Sequence, residues 1–361
     1  MDIVNILRDK ILNSVNQLVD ERNLKQPINM NNIVVERPKK QHQGDYSTNA
    51  AMVLGKAIYS NPRDFGEIIS LKLRDSELIS NVSLDGPGFL NITINPKFWD
   101  RLIFEINSSN NRYGEESFGG GKKVNLEFVS ANPTGPLHLG HVRGAVFGDV
   151  LSRLLEFVGF KVTREYYVND GGAQIGILVR TIYFRYLEKL GEVIELPDES
   201  YPGDYLIPIA EKLIEKYGDK LKNLGEVERD NIIRSFSIEH MMEVIKADLI
   251  SLNIQMDNFF SEQAMIESNG IEKSLKTLKD RGLIYKGTID PPKGKTHADW
   301  KVREQLLFKS TKFGDDIDRP IKKSDGSWTY FAPDLAYHAD KLKRGFDVVI
   351  DILGADHSGY V

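Results

Sequence analysis

The sequence contains no cysteine. Disulfides, thiolate nucleophiles and thiolate zinc sites are therefore excluded, and the fold must rest on its apolar core. Also missing is any apolar run near the ~20 residues that span a bilayer as a helix, so no membrane partner is expected. Residues 1–23 lack an unbroken apolar core and carry Asp2, Asp9, Asp20 and Glu21, which argues against a signal or transit peptide and for the cytoplasm. A basic excess is absent too. The net charge of −5 lends no support to a polyanionic partner. Only residues 272–312 run the other way, with eleven Lys or Arg against five Asp or Glu, and a solvated surface explains such a stretch on charge alone.

What remains is the composition of a soluble globular protein. The 361 residues are 41% hydrophobic and 27% charged, enough for two or three domains. Val4, Leu7, Ile11, Val15, Leu18 and Val19 recur at helical spacing, which predicts an amphipathic helix over 2–23. Ser47 or Thr48 can cap a helix from Ala50 to Ile58, and Asn61-Pro62 starts another. Asp85-Gly86-Pro87-Gly88 is turn chemistry before a strand at 89–94, in which Leu90, Ile92 and Ile94 share one face. Residues 1–110 read as a small α+β unit, and 111–121 as a linker.

From Lys123 the style changes. Residues 124–129 form a strand. The loop SANPTGPLHLGH leads into the helix VRGAVFGDVLSRLLEFVGF, and KVTREYYVND is a second strand. Strand, loop, helix, strand is the βαβ unit of a parallel sheet. Helical patterns fill 175–252 with a break at 201–204, and DVVIDILG reads as a strand buried on both faces. The expected fold is α/β, with a Rossmann-like parallel nucleotide-binding sheet and helical insertions over 122–361, preceded by the small α+β domain.

The loop Pro133-Thr134-Gly135-Pro136-Leu137-His138-Leu139-Gly140-His141 carries the most chemistry. A loop that leaves a parallel strand and enters a helix presents free backbone N–H groups at a positive dipole end, a ready phosphate site. Gly140 lets a ligand approach the backbone, and His138 and His141, three apart, can both donate to one triphosphate. An isolated HxxH is as readily structural, and without a nearby carboxylate it makes a poor zinc site. The strand-to-helix setting favours the nucleotide. Glu127 stands in an otherwise apolar strand, and Asp334 follows Pro333 near a helix start. Taken alone, the first suits a strand-edge charge and the second a helix cap. Asp315, Asp316 and Asp318 read as a hairpin loop rather than a metal cluster, and no metal ligand set is expected.

HLGH resembles the HIGH signature of class I aminoacyl-tRNA synthetases. The stretches EFVSANPTGPLHLGHVRGAVFGDVLSRLLEFVGFKVTREYYVNDGGAQI, GDYSTNAAMVLGKAI with DGPGFLNITI, and FGDDIDRPIKKSDGSWTYFAPDLAYHADKLKRGFDVVIDILGADH are similar to arginyl-tRNA synthetases in particular. The resemblance runs through the whole chain in order. It implies an arginine–tRNA ligase that takes L-arginine, ATP with Mg²⁺ on its phosphates, and tRNA(Arg), with the front domain contacting tRNA; a monomer is expected. It implies His138 and His141 as catalytic. It implies Pro133, Gly135, His138, Gly140, His141, Gly354 and Asp356 at ATP. It implies Glu127 and Asp334 on the guanidinium, Tyr330 lining the pocket, Ser130 and Asn132 on the α-ammonium and carboxylate, and His357 on substrate. A guanidinium is planar, permanently charged and rich in donors, so paired carboxylates and a stacking ring suit it.

Lys322-Lys323-Ser324 is a superficial match to the second class I signature, KMSK, but it precedes the last strand and is rejected. The KMSK-type loop and the helical anticodon domain are thus expected beyond residue 361, and without them the 361 residues are expected to charge tRNA poorly. Two other classes stay open: a small nucleotidyltransferase sharing the HIGH-type loop, and a non-catalytic module that binds tRNA or arginine.

Overall fold

The computed structural model describes residues 3–21, 29–38, 44–57, 61–288, 304–323 and 326–354. The chain divides into two compact units, Met1–Glu115 and Glu116–Val361.

In the first unit, α1 (Ile3–Glu21) is the amphipathic helix expected from the sequence. Leu7, Ile11, Val15 and Leu18 are buried, whereas Val4 is exposed one turn from the helix start. The short strand β1 (Val35–Glu36) pairs with β2 (Tyr46–Thr48). Helix α2 (Ala50–Ala57) follows, and Thr48 rather than Ser47 accepts from its first N–H. Asn61 caps α3 (Pro62–Arg74), with Pro62 at a position where no N–H is needed. Then come β3 (Ile79–Asp85), β4 (Phe89–Ile94) and α4 (Pro96–Ser108). The antiparallel sheet runs β1-β2-β4-β3. Leu90, Ile92 and Ile94 of β4 face the helices, where they meet Leu54, Phe65, Ile69 and the buried stripe of α1.

The second unit begins earlier than a free linker over 111–121 would allow. The N–H groups of Glu116, Gly119 and Gly121 donate to the carbonyls of Phe157, Val158 and Gly159. Residues 116–121 are thus laid against the helix–strand turn of this unit. Gly119 is needed there, since a Cβ would meet Phe160 N at 2.5 Å.

The parallel βαβ unit is present: β5 (Lys123–Glu127), α5 (Leu139–Phe157), β6 (Lys161–Val168). Strand β5 stops at Glu127, two residues short of the expected end, because Val129 and Ser130 take left-handed backbone. Helix α5 starts at Leu139, so His138 precedes it and His141 lies inside it. The helical stretch resolves into α6 (Ala173–Lys189), α7 (Ile207–Tyr217) and α8 (Glu226–Ser251), which share a core of Ile175, Leu178, Ile182, Leu213 and Ile233. Strand β7 (Asn258–Ser261) extends the sheet, followed by α9 (Glu262–Glu267) and α10 (Gly270–Asp280). Strands β8 (Ile284–Gly287), β9 (Gln305–Phe308) and β10 (Arg319–Pro320) form a small antiparallel sheet. Helix α11 (Phe331–Lys343) leads to β11 (Val348–Asp351).

The parallel sheet runs β11-β5-β6-β7. Among the described residues β11 therefore pairs only with β5, and its side chains are half-exposed, not buried on both faces. The apolar run alone did not distinguish a central strand from an edge. In the connection between β9 and β10, the Asp315 carboxylate takes both donors of Arg319, and Asp318 accepts from Tyr285 and Thr311. Those carboxylates hold the turn. The charged side chains of α10 in the basic stretch are exposed, and 289–303 lie outside the described residues.

Helix α5 turns a face of small residues, Ala145, Gly148 and Ser152, to the sheet. A Cβ at Gly148 would lie 2.2 Å from Cγ of Phe128, a fully buried ring. Gly148→Ala should therefore destabilise the protein by about 1–3 kcal/mol through overpacking. An unchanged urea midpoint would show that the helix does not press on Phe128.

Candidate active site

Glu127 ends β5, and the chain then turns sharply. Val129 and Ser130 have φ of 69° and 41°. Such values in non-glycine residues, one of them β-branched, each cost about 1–3 kcal/mol and persist only where neighbours fix them. Ser130 Oγ donates to Glu127 Oε1 at 2.9 Å and accepts from the Tyr167 N–H at 3.0 Å. The buried phenol of Tyr166 donates to the Ala131 carbonyl at 2.7 Å. Tyr205, from the turn before α7, donates to the Thr134 carbonyl at 2.7 Å, and Gly135 leaves room for its ring. Asn132 donates to Gln174 Oε1 on α6. Pro133 is buried. Three side chains from three other elements, Tyr166, Gln174 and Tyr205, thus hold the loop between β5 and α5.

The two histidines meet at the end of that loop. Their rings stack with centroids 3.7 Å apart. Nδ1 of His138 accepts from the Gly140 N–H at 3.1 Å, and Nδ1 of His141 accepts from the His138 N–H at 3.4 Å. This reciprocal cap assigns the neutral tautomers, with the proton of each ring on Nε2. Burial and then the neighbouring imidazole lower the His141 pKa, so the pair resists double protonation. A side chain at Gly140 would meet the His138 ring at 2.9 Å. The glycine therefore allows the stack as well as a ligand's approach. Two outward Nε2–H donors at the positive end of a helix form an anion-binding surface.

A row of charge crosses the sheet beside this loop. In parallel register Asp351 stands next to Glu127, Glu127 next to Glu165, and Glu165 next to Asn258. The cations come from α11 and the residue that follows it. Lys341, fully buried, bonds both Glu127 and Asp351. Arg344 gives both of its terminal nitrogens to Glu165, which also accepts from Tyr337 at 2.8 Å and Asn258 at 2.7 Å. Burial alone would raise the Glu165 pKa. The bonds from Arg344, Asn258 and Tyr337 and the arginine's charge outweigh it and hold the group at about 2.

The start of α11 completes the site. Tyr330 lies just before the helix and is exposed; Asp334 sits one turn in, half-buried. The Tyr167 phenol donates to Glu262 at 2.6 Å. Burial and the charges of Glu262, Asp334 and Glu127 raise its pKa. Glu262 is the carboxylate bonded to this tyrosine, and the charges of Glu127 and Asp334 are also felt there. Glu127 is not a strand-edge charge facing water, and it already holds a cation of the protein's own. Gly354 is exposed past the end of β11, whereas Asp356 and His357 lie outside the described residues.

Loop, histidine pair and carboxylates sit at the carboxyl ends of parallel strands, where ligands of open α/β sheets bind. Residues 103–360 match the family model "tRNA synthetases class I (R), catalytic domain", and residues 5–94 match "Arginyl tRNA synthetase N terminal domain". The chain belongs to the class I arginyl-tRNA synthetase family. It is 49% identical over 361 residues to an arginine–tRNA ligase of Roseobacter denitrificans, which accounts for all of this chain and 62% of that protein. A Jannaschia arginine–tRNA ligase is 50% identical over 355 residues, 98% of this chain and 62% of that one. The chain thus spans about three fifths of the length of these relatives. The crystal structure of arginyl-tRNA synthetase from Plasmodium falciparum matches 99% of this chain and 60% of its own, at 18% identity and a TM-score of 0.63, and shares the family fold.

Several of the side chains that build the site escaped the sequence analysis: Lys341, Arg344, Glu165, Tyr337, Tyr167 and Glu262. A signal did exist for Asp351, which ends the apolar run of β11, and such a charge needs a partner if it is buried; Glu165, beside Thr163 and Arg164 in β6, gave none. Glu165→Gln should destabilise the protein by about 3 kcal/mol at neutral pH, since Arg344 loses its charged partner. The folded pKa lies below the unfolded value near 4.5, so this contribution is complete above pH 4.5 and lost as pH falls towards 2. Urea midpoints across that window should fall less steeply in the variant; parallel curves would contradict the assignment.

Proposed function

We propose that the protein is an arginine–tRNA ligase acting as a cytoplasmic monomer, forming arginyl-adenylate from L-arginine and MgATP and passing the arginyl group to the terminal adenosine of tRNA(Arg). The observation that carries this is the buried carboxylate of Glu127 at the carboxyl end of a parallel strand, beside a helix start that presents two stacked imidazole donors. The carboxylate suits a guanidinium, and the donors suit a triphosphate.

In this reading Asp334 and Glu127 take the guanidinium, with Tyr330 closing over it from the rim. Ser130 and Asn132 hold the α-ammonium and carboxylate. Pro133, Gly135 and Gly140 shape the nucleotide loop, and Gly354, Asp356 and His357 contact ribose and substrate. The arginine carboxylate is already ionised, so it attacks the α-phosphate without a general base and pyrophosphate departs. The protein's part is to align the two and to stabilise charge on the phosphates. Nε2–H of His138 and His141 and the free N–H groups of the α5 terminus do this, and Mg²⁺ enters with the nucleotide as part of the substrate. The front unit, matched over residues 5–94, takes the tRNA body.

Asp334→Asn should weaken arginine binding by about 2–4 kcal/mol, because a buried guanidinium loses a charged partner. Calorimetry on the two proteins, with citrulline as the uncharged control, tests it; equal arginine affinities would remove Asp334 from the pocket. His141→Ala should slow single-turnover adenylation about 100-fold while the protein stays folded. A wild-type rate would give the loop another role. Deleting residues 1–110 should lower tRNA affinity at matched salt and leave arginine and ATP binding intact.

A further inference from the structure

The row of charge across the sheet does not balance. Glu127, Glu165 and Asp351 are three carboxylates, and Lys341 and Arg344 are the two permanent cations bonded to them. Counting these groups, 3 − 2 leaves one negative charge uncompensated. Glu127, Glu165 and Lys341 are buried, so bulk solvent is poorly placed to compensate it. Arg344 also reaches Asp340 at 2.9 Å, which draws part of its charge outward. The position of Lys341 fixes the count. It bridges adjacent residues of β11 and β5 and lies 4.2 Å over the Tyr337 ring, so that, among the described residues, the other groups on Glu127 are the neutral hydroxyls of Ser130 and Tyr337.

We propose that Lys341 is the charge-setting residue of the arginine site: by spending its ammonium between Glu127 and Asp351 it leaves the row one cation short, so that the site takes a single monocationic side chain. This rests on assigning the site to arginine. Lys341 does not touch the substrate; it acts through Glu127 as a positioning residue. Without it, two adjacent buried carboxylates would share a proton, as like charges at contact distance do. Arginine would then have to displace that proton. With it, the site is ionised and oriented before substrate arrives.

The other groups facing this cluster are named for the test. Helix α11 contributes Tyr337 and His338, whose Nδ1 is 3.7 Å from Asp351. Strand β6 contributes Glu165 and Tyr167, and the residue after α11 contributes Arg344. Asp334 and Glu262 act on Tyr167. All are common to every variant, so a difference in pH slope belongs to the residue changed.

The experiment is arginine affinity by calorimetry from about pH 6.5 to about pH 8.5, a window below the substrate's α-ammonium titration, in a series of net row charge. Wild type and Lys341→Arg, both at minus one, should give affinities nearly independent of pH. Asp351→Asn, at zero, should bind at least about tenfold more weakly at every pH. Lys341→Met, at minus two, should gain affinity as pH rises, approaching a factor of about ten per pH unit where one proton is released on binding. Lys341→Met/Asp351→Asn, returned to minus one, should regain the flat profile and come within a few-fold of wild type. A flat, uniformly weakened Lys341→Met would make Lys341 a structural anchor and overturn the proposal. So would a double variant as weak as the worse single one, which decides the matter even if Lys341→Met alone does not fold. Wild type that binds no arginine would instead sink the assignment of the site. In that case acid titration of the ligand-free variants still reads the charge count: a carboxyl titrating near neutral pH should appear only in Lys341→Met, and its absence there overturns the proposal.

Discussion

Removing the contact of Lys341 with Glu127 and Asp351 would leave two neighbouring carboxylates facing each other inside a folded protein. Like charges at that separation in a low-dielectric interior repel strongly, and a lone buried charge is worse still. Much of the catalytic unit depends on this ion cluster. It ties the edge strand β11 to β5, it seats α11 on the sheet, and with Arg344 on Glu165 it does so at two successive turns. The start of α11, with Tyr330 and Asp334, is thereby positioned by its far end. The pocket geometry and the stability of the sheet share one set of side chains.

The nucleotide loop is held by different means. Hydroxyl groups hold the sharp turn after β5. Tyr166 and Tyr205 donate to two loop carbonyls, and Ser130 donates to the Glu127 carboxylate. The capped imidazole pair likewise offers two neutral donors whose protons are fixed by backbone bonds. The site is divided into a carboxylate-rich half and a half built from backbone and neutral donors.

The periodicities of α1, the Asn61-Pro62 start of α3, the alternation in β4 and the strand–loop–helix order around HLGH were all legible, because each is a local preference that neighbouring residues express together. Errors fell where tertiary contacts override local ones. β5 ends early because side chains from β6 and the turn before α7 force Val129 and Ser130 into left-handed backbone. The expected linker is half consumed because its N–H groups find the carbonyls at 157–159. The strand β11 read as buried on both faces from its apolar run, and only sheet order shows that, among the described residues, it pairs with β5 alone.

Glu127 marks where sequence and tertiary structure part. From the sequence, the family resemblance made Glu127 a candidate for a cationic ligand, whereas its residue type alone suited a strand-edge charge equally well. That its partner is Lys341, 214 residues away, depends on three parallel strands in one register with a helix laid across them. No local rule encodes such a pairing, because what selects it is the cost of leaving either charge buried without the other, and that arises only once the fold buries both. The sequence determined the elements and, through its motifs, the family. Tertiary structure decided which carboxylates are already bonded to the protein's own cations and which nitrogen of each histidine ring meets the backbone.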